Sequence, residues 1–343
     1  MAIHLVLGGA GFIGSNLAAR LLRRKETVIV FDNLSRPGVD INLQWLHTLD
    51  RGARLRFVRG DVRDAASVSD VVQHADVIYH LAAQTAVTTS VEQPREDFYV
   101  NAMGTFNVLE AARQSGRDPV LIYASTNKVY GGMDEIAVVE QKTRYAYADR
   151  PCGIDETALL DFHSPYGCSK GTGDQYTRDY ARIYGLRSVV ARQSCIFGPR
   201  QFGTEDQGWL AWFFIAAAQG KPLSIYGDGK QVRDLLYVDD LLDFYDQAVD
   251  NIDRVKGRIY NVGGGFQNSI SVWAELAVHV EALFGTRVHV NYADWRPGDQ
   301  RIYVSDIRRA TAELGWSPRT GLTDGLTKLH GWVEELLHSA VVS

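Results

Sequence analysis

A glycine-rich turn near the N-terminus constrains this chain more than any other feature. Gly8, Gly11 and Gly14 follow the apolar run 3–7, and Asp32 closes the next apolar run. Gly8 permits a tight turn out of a strand, Gly11 lets a pyrophosphate approach the backbone, and Gly14 lets the next helix pack close to the sheet. That helix would direct its free N–H groups at the phosphates. The pattern predicts a strand–helix–strand unit that binds a dinucleotide.

The acidic residue at position 32 selects between dinucleotides. Asp32 lies eighteen positions beyond Gly14, where a carboxylate accepts hydrogen bonds from the adenosine ribose. Its negative charge would repel a 2′-phosphate on that ribose. We therefore expect the cofactor to be NAD rather than NADP.

The rest of the chain alternates apolar, β-branched runs with helical patterns. Strands are predicted at 54–58, 77–82, 119–125 and 188–194, with helices near 65–74, 97–116 and 169–185. This alternation predicts an α/β fold with a Rossmann-type, doubly wound parallel sheet. We expect residues 1–197 to form the NAD-binding domain with the catalytic residues, and residues 198–343 a smaller, interleaved substrate-binding region. The ligand cleft should lie between them, at the carboxyl ends of the strands.

Charge and cysteine usage narrow the choice of partners. The net charge is −5 and the basic residues are scattered, which argues against nucleic acid as a partner. Cys152, Cys168 and Cys195 are odd in number and form no C-x-x-C pair, so we predict neither disulfides nor a metal site, and a cytoplasmic protein. No apolar run is long enough to span a bilayer, so no membrane partner is expected.

Three residues have the chemistry to oxidise an alcohol. Tyr166 and Lys170 stand four positions apart at the start of a predicted helix and so share one face. Thr126 follows the predicted strand 119–125, where doubly wound sheets present catalytic groups. A phenol titrates near pH 10, so about 4 kcal/mol of stabilisation is needed to ionise it near neutrality. We expect Lys170 and the oxidised nicotinamide ring to supply that charge while Tyr166 removes the hydroxyl proton.

Further motifs extend this pattern. Asp61-Val62, the run 80–83, Asn101 and the run 129–131, with the residues above, resemble the extended short-chain dehydrogenase/reductase family of nucleotide-sugar enzymes. The resemblance covers nearly the whole chain. It implies that the cofactor is contacted by Gly8, Gly11, Phe12, Ile13, Gly14, Asp32, Asn33, Ser35, Arg36, Asp61, Val62, Leu81, Ala82, Ala83, Gln84, Asn101, Tyr166 and Lys170.

The same resemblance implies a nucleotide-diphosphate sugar as the substrate. The runs 229–234 and 296–299 match elements that hold such a molecule, with Arg233 and Arg296 neutralising its diphosphate. The implied substrate residues are Thr88, Asn127, Cys195, Gln201, Gln207, Trp209, Gln231, Arg233, Arg296 and Asp299. Cys195 departs from the 4-epimerases, which commonly have an asparagine there. The run 227–229 can also be interpreted as a plain hairpin turn.

The residues after Thr126 discriminate among reactions of the family. Dehydratases resemble one another in having an acidic pair there, because eliminating water needs a proton donor and acceptor, but here the pair is Asn127 and Lys128. A glutamate usual in the decarboxylases is also absent. Epimerisation needs neither. The strings at 31–36, 42–46, 125–131, 161–171, 200–202 and 206–209 are similar to the branch that inverts C2 of a CDP-linked hexose through a transient ketone.

Several alternatives stay open at this point. They are C2 inversion of a GDP-linked or CDP-linked glucose, a UDP-hexose 4-epimerase, and a net dehydrogenase that exchanges free NAD(H). A non-catalytic sensor is disfavoured, because it would not need the catalytic set of Thr126, Tyr166 and Lys170. We expect a homodimer or homotetramer.

Overall fold

The computed structural model describes residues 2–50, 52–296 and 299–342. Its strands are β1 (Ile3–Leu7), β2 (Thr27–Asp32), β3 (Leu55–Arg59), β4 (Val77–His80), β5 (Val120–Thr126), β6 (Val138–Glu140), β7 (Tyr145–Tyr147), β8 (Arg187–Gln193), β9 (Cys195–Phe197), β10 (Leu223–Tyr226), β11 (Val232–Tyr237), β12 (Ile259–Val262), β13 (Ser269–Ser271), β14 (Val290–Ala293) and β15 (Ile302–Tyr303). The predicted strands of the first domain are all present, with ends shifted by one or two residues.

The helices cover both faces of the sheet and most of the C-terminal region. They are α1 (Phe12–Arg23), α2 (Val39–Leu49), α3 (Ala65–Val72), α4 (Val87–Glu92), α5 (Pro94–Phe98), α6 (Gly104–Gln114), α7 (Ser164–Tyr184), α8 (Trp209–Ala218), α9 (Val238–Asp250), α10 (Ile252–Val255), α11 (Leu276–Phe284), α12 (Arg308–Leu314) and α13 (Leu322–Val342). A π-helix, Tyr99–Met103, joins α5 to α6, so the single helix predicted at 97–116 is three segments. No helix in the described ranges is both long and apolar enough to cross a membrane.

The central sheet has seven parallel strands in the order β12-β8-β5-β4-β1-β2-β3. Successive strands build outward from β1 to β3 on one side and from β4 to β12 on the other. The order therefore reverses between β1 and β4, and a crevice opens at their carboxyl ends. The predicted doubly wound α/β fold is confirmed. Strand β12 returns from the C-terminal region into this sheet, so the two predicted regions share it.

Alternate residues of each central strand face opposite layers. Val6 and Ile122 belong to an apolar core with α1, α2 and α9. Leu5 and Leu121 belong to a second core with α3 and α6. Both faces of the sheet are covered, which is why its strands are apolar at nearly every position. Polar residues near the sheet are therefore concentrated at the strand ends.

The C-terminal region adds two small sheets above the crevice. Strand β10 pairs with β14, while β11 pairs with β13, β15 and β9. The run 227–229 thus connects strands of different sheets, and the hairpin interpretation is wrong. The sequence indicated a turn correctly, because Gly227 and Gly229 have left-handed φ of 79° and 76°, but a turn does not reveal which strands pair.

Candidate active site

A cavity of about 490 Å³ lies at the crevice between β1 and β4. Its size is within the range usual for small-molecule and cofactor sites. All but one of the residues predicted to contact the cofactor line it. They are Gly8, Gly11, Phe12, Ile13, Gly14, Asp32, Asn33, Ser35, Arg36, Asp61, Val62, Leu81, Ala82, Ala83, Gln84, Tyr166 and Lys170.

The glycine turn has no room for side chains. Gly8 has a φ of 78°, and a Cβ there would lie 2.7 Å from the backbone nitrogen of Ala82. A Cβ on Gly14 would overlap the Gly8 carbonyl oxygen. Gly11 immediately precedes α1 and faces the cavity, without a side chain to cover the helix N-terminus. This arrangement fits a pyrophosphate held by backbone N–H groups.

Backbone groups also hold Asp32 in place. Its two carboxylate oxygens accept hydrogen bonds from the N–H of Ala10 at 3.1 Å and of Leu34 at 2.8 Å. Burial raises the pKa of this carboxyl group, and the backbone donors oppose that effect. The carboxylate is therefore oriented by the turns that flank it, as a ribose acceptor needs to be.

A second carboxylate, Asp61, borders the same cavity. It accepts hydrogen bonds from the Asn33 amide at 2.8 Å and from the Arg63 guanidinium at 2.7 Å. The hydrogen bond from Arg63 is the main reason that the pKa of Asp61 falls to about 2. Asp61 thus links β2 to the loop after β3 and shapes the wall next to Val62.

Asn101 is the exception among the predicted cofactor residues, because the structure places it outside the cavity lining. Its amide N–H donates to the Gln84 carbonyl at 2.9 Å and to Asp97 at 3.0 Å, while its oxygen accepts from the Gln84 N–H at 2.9 Å. It also contacts Ser169 on α7. Asn101 thus positions Gln84, which lines the cavity, and the direct cofactor contact of Asn101 stays a prediction.

Tyr166 and Lys170 lie one turn apart on α7, and both are buried. The Lys170 ammonium donates to the Ala124 carbonyl at 2.5 Å and lies over the Tyr123 ring at 4.4 Å. Burial lowers the pKa of Lys170 to about 7, and the charge of Asp174 opposes that effect. Helix α7 therefore places, one turn from the tyrosine, a lysine whose protonation state changes near neutral pH.

The phenol of Tyr166 is harder to ionise than the sequence indicated. Burial raises its pKa to about 12, although a hydrogen bond with Thr126 lowers it. Ionisation near neutrality then needs about 7 kcal/mol rather than about 4. A bound NAD would add the positive charge of its nicotinamide ring to that of Lys170 and so favour the phenolate.

A buried polar network beneath these residues was not predicted from the sequence. Asp174 and Arg192 form two hydrogen bonds of 2.9 Å, and both are almost fully buried. Asp174 also accepts from the Ser125 hydroxyl at 2.7 Å, and Arg192 donates to Tyr130 at 3.0 Å. The network ties α7 to β5 and β8. It therefore holds Thr126, at the end of β5, against the helix that carries the catalytic tyrosine.

Most of the predicted substrate residues fall into two groups. Gln201 and Gln207 line the cavity, and the Gln207 amide contacts the hydroxyl of Thr85. Arg36 donates to the same hydroxyl at 2.6 Å. Thr85 was missed, because a lone threonine in a loop carries no signal that two distant side chains meet on it.

The second group surrounds the 3₁₀ helix Asn127–Tyr130 next to the cavity. Arg233 pairs with Asp299 at 2.6 Å, and the amide of Asn127 approaches Gln300 at 3.4 Å. Burial raises the pKa of the nearby Cys195 thiol, which Trp209 hydrogen-bonds. These contacts bring five predicted substrate residues together.

The remaining three predicted substrate residues make different contacts. Gln231 donates to the Tyr226 carbonyl at 2.5 Å, and Arg296 lies over the Tyr226 ring while pairing with Asp206 at 3.2 Å. Within the run 296–299, positions 297 and 298 lie outside the described residues. Thr88 has a buried hydroxyl without a hydrogen-bond partner among the described residues, and the neighbouring Thr89 lines the cavity. The direct substrate contact of Thr88 stays a prediction.

No three His, Cys, Asp or Glu side chains in the described parts of the chain are grouped as metal ligands. Three free cysteines are present.

Comparisons with known proteins agree with this geometry. The model of the NAD dependent epimerase/dehydratase family matches residues 4–263. The CDP-paratose 2-epimerase of Salmonella typhi is 44% identical over 339 residues, covering 97% of this chain and 99% of that protein. The prediction of NAD as cofactor is confirmed by the family.

Solved structures give the same answer for the fold. The UDP-glucose 4-epimerase of Thermotoga maritima, solved with UDP-glucose, has a TM-score of 0.82 at 29% identity and covers 98% of this chain and 99% of its own. The UDP-glucuronic acid 4-epimerase of Bacillus cereus, solved with UDP-glucuronic acid and NAD, has a TM-score of 0.82 at 29% identity, covering 97% and 99%. From the site geometry and these matches together, we conclude that the chain belongs to the NAD dependent epimerase/dehydratase family.

Proposed function

We propose that this protein is an isomerase that inverts C2 of a CDP-linked hexose. The observation that carries the proposal is the catalytic set Thr126, Tyr166 and Lys170 with an amide and an amine, Asn127 and Lys128, in place of an acidic pair. Such a site can oxidise and reduce a carbinol but lacks the acid and base that elimination needs beside it. The 44% identity to a CDP-paratose 2-epimerase favours C2 and a CDP nucleotide.

The chemistry of the substrate makes a transient oxidation necessary. C2 of such a hexose is an unactivated carbinol carbon, so no base at neutral pH removes its proton directly. Tyr166 takes the hydroxyl proton instead, and the Thr126 hydroxyl orients that oxygen. The residues around the glycine turn would hold NAD, which would supply the hydride acceptor for the oxidation and the hydride donor for reduction on the opposite face of the ketone. Tyr166 then gives the proton back, and the protein ends in its starting state.

Substrate binding rests on two arginines, Arg233 of the second group and Arg296. Arg233 is buried against Asp299, and Arg296 is half-buried against Asp206. We propose that the diphosphate of the sugar nucleotide joins these ion pairs, since a guanidinium has five donors and one carboxylate does not use them all. Gln201 and Gln207 would then face the sugar.

The test is product formation without added cofactor. The purified protein is incubated with CDP-paratose or CDP-tyvelose, and the products are identified by NMR. We expect both directions to reach the same mixture of C2 epimers, and the Tyr166→Phe variant to give almost none. GDP-glucose, CDP-glucose and UDP-glucose serve as comparison substrates. Inversion at C4 with C2 unchanged would reject the proposal in favour of a 4-epimerase.

An apolar face supports the proposal of a homodimer or homotetramer. Phe98, Phe106, Tyr176, Ile183 and Tyr184 are large, exposed side chains on α5, α6 and α7, and grouped apolar exposure of this kind marks interaction surfaces. Analytical ultracentrifugation of the wild type and of Phe106→Glu tests this directly. A wild type that sediments as a monomer would contradict it.

The three free thiols also support the proposed cytoplasmic location, where thiols stay reduced. Fractionation of cells that produce the protein, with detection in the cytoplasmic or in another fraction, checks this proposal.

A further inference from the structure

Lys128 is a cation next to the catalytic residues that the proposed mechanism leaves unused. It lies in the 3₁₀ helix Asn127–Tyr130, and its N–H donates to the Thr126 hydroxyl oxygen at 3.2 Å. Its carbonyl oxygen would be 3.3 Å from a Cβ on Gly167, the residue after Tyr166. The backbone of Lys128 is therefore fixed between the two groups that contact the reacting oxygen.

The ammonium group of Lys128 has no pairing partner in the described parts of the chain. Across residues 2–50, 52–296 and 299–342, no hydrogen bond or ion pair engages it. Burial lowers the pKa of Lys128, the charge of Arg233 lowers it further, and the charge of Asp299 opposes both effects. Asp299 is itself paired with Arg233 at 2.6 Å. An anion bound beside Lys128 would therefore supply the partner that favours its charged form.

The connectivity of the sugar nucleotide indicates which anion can reach Lys128. C1 of the hexose carries the diphosphate, and C2 is bonded directly to C1, whereas C4 lies across the ring. When C2 is at the Tyr166 phenol, the β-phosphate must therefore lie close to the catalytic residues. Lys128 follows Thr126 by two positions and is close enough to Arg233 for their charges to interact, so both basic side chains are near the place where such a phosphate would lie.

We propose that Lys128 binds the β-phosphate of the sugar nucleotide and thereby seats C2, rather than C4, at Tyr166. This inference rests on the proposed C2 epimerisation. It makes Lys128 a positioning residue for regiochemistry, with no part in proton or hydride transfer.

Calorimetric binding of CDP and CMP tests the phosphate contact directly, because CMP lacks the β-phosphate. We expect Lys128→Met to weaken CDP binding about tenfold or more, as expected for a lost charge-assisted contact, and to leave CMP binding unchanged. Lys128→Arg should restore most of the affinity for CDP. Lys221→Met, which removes an exposed lysine, is the matched control and should bind both nucleotides like the wild type. Melting temperature and retained NAD verify folding.

Turnover separates this inference from the proposed function. If the wild type does not interconvert C2 epimers, the proposed function fails, while the CDP and CMP comparison still reports on the contact. If the wild type does interconvert them, the Lys128→Met variant should show a higher KM and a lower kcat for C2 inversion. Unchanged CDP binding in Lys128→Met, or an equal loss for CDP and CMP, would overturn the inference.

Discussion

The cleft has a dinucleotide half around the glycine turn and Asp32, and a sugar-nucleotide half around Arg233. Backbone N–H groups hold the Asp32 carboxylate in the first half, whereas charged side chains pair with one another in the second. Asp32 is fixed by Ala10 and Leu34, which belong to the turns on either side of it. Arg233 is fixed by Asp299, which is 66 residues away. The first half is therefore set by the local fold, while the second depends on ion pairs that a diphosphate can enter.

This difference indicates which half of the cleft tolerates amino-acid substitutions. A site made from backbone and glycines tolerates few changes, since a Cβ at Gly8 or Gly14 would collide with backbone atoms. A site made from paired side chains can be altered by single substitutions without disturbing the sheet. We expect cofactor use to be shared across the family, and substrate choice to reside in residues such as Lys128 and Arg233.

The largest effect on turnover is expected for Tyr166, the residue that both halves of the cleft share. Tyr166→Phe keeps the ring in place but removes the hydroxyl, so we expect turnover to fall by about 10²- to 10⁴-fold while NAD is retained. The measurements are kcat and the NAD content of the purified protein. Tyr292→Phe, at an exposed position on β14, is the control. Turnover of Tyr166→Phe within about tenfold of wild type would reject the assigned role.

Lys170 should control the pH at which the tyrosine works. Burial lowers the pKa of Lys170 to about 7, so its ammonium is present below that pH and favours the phenolate there. Lys170→Met should therefore raise the pKa of Tyr166 and move the rising limb of kcat/KM to higher pH. A displacement of one pH unit corresponds to about tenfold at fixed pH. The check is the pH profile of both proteins, with Lys256→Met as a surface control. Superimposable profiles would show that Lys170 does not assist ionisation.

The arginines test the sugar-nucleotide half. Arg233→Ala should weaken binding of CDP by about 1.5 to 3 kcal/mol. Arg296→Ala should cost less, because its side chain is 27% exposed against 9% for Arg233, and solvent screens the exposed contact. Calorimetry with CDP measures both, and Arg117→Ala, on the far side of the sheet from the cleft, is the control. If neither arginine changes the affinity, the diphosphate lies elsewhere.

Asp32 tests the dinucleotide half, where we expect the smallest change. The wild type should bind NAD strongly in preference to NADP, and Asp32→Ala should narrow that preference by about tenfold, as removal of a charge repelling the 2′-phosphate would do. Dissociation constants for both cofactors, with Asp40→Ala as control, give the answer. Equal binding of NAD and NADP by the wild type would contradict the role given to Asp32.

The sequence predicted the dinucleotide half almost completely, because each role there depends on residues close in the chain. The spacing of Gly8, Gly14 and Asp32 in the sequence directly specifies the local structure there. The contact of Asn101 with Gln84 could not be predicted, because a polar residue at that position indicates a hydrogen bond near the cofactor but does not identify its partner.

The sugar-nucleotide half could be predicted only as a set of residues. The resemblance named Arg233 and Asp299, yet no local pattern shows that they pair. Lys128 was noted only for not being acidic, because the absence of a pairing partner for its ammonium group within the described residues is a property of the folded chain. The contact of Gln207 with Thr85 spans 122 residues and is equally invisible in the sequence.

The measurement that tests the central claim most directly follows deuterium placed at C2 of CDP-paratose or CDP-tyvelose. Transient oxidation by bound NAD sends that atom to the cofactor and back to the same carbon. We therefore predict that the epimeric product keeps deuterium at C2, and that a reaction in heavy water introduces none there. Loss of the label from C2, with solvent deuterium in its place, would show removal of a proton rather than of a hydride and would contradict the account.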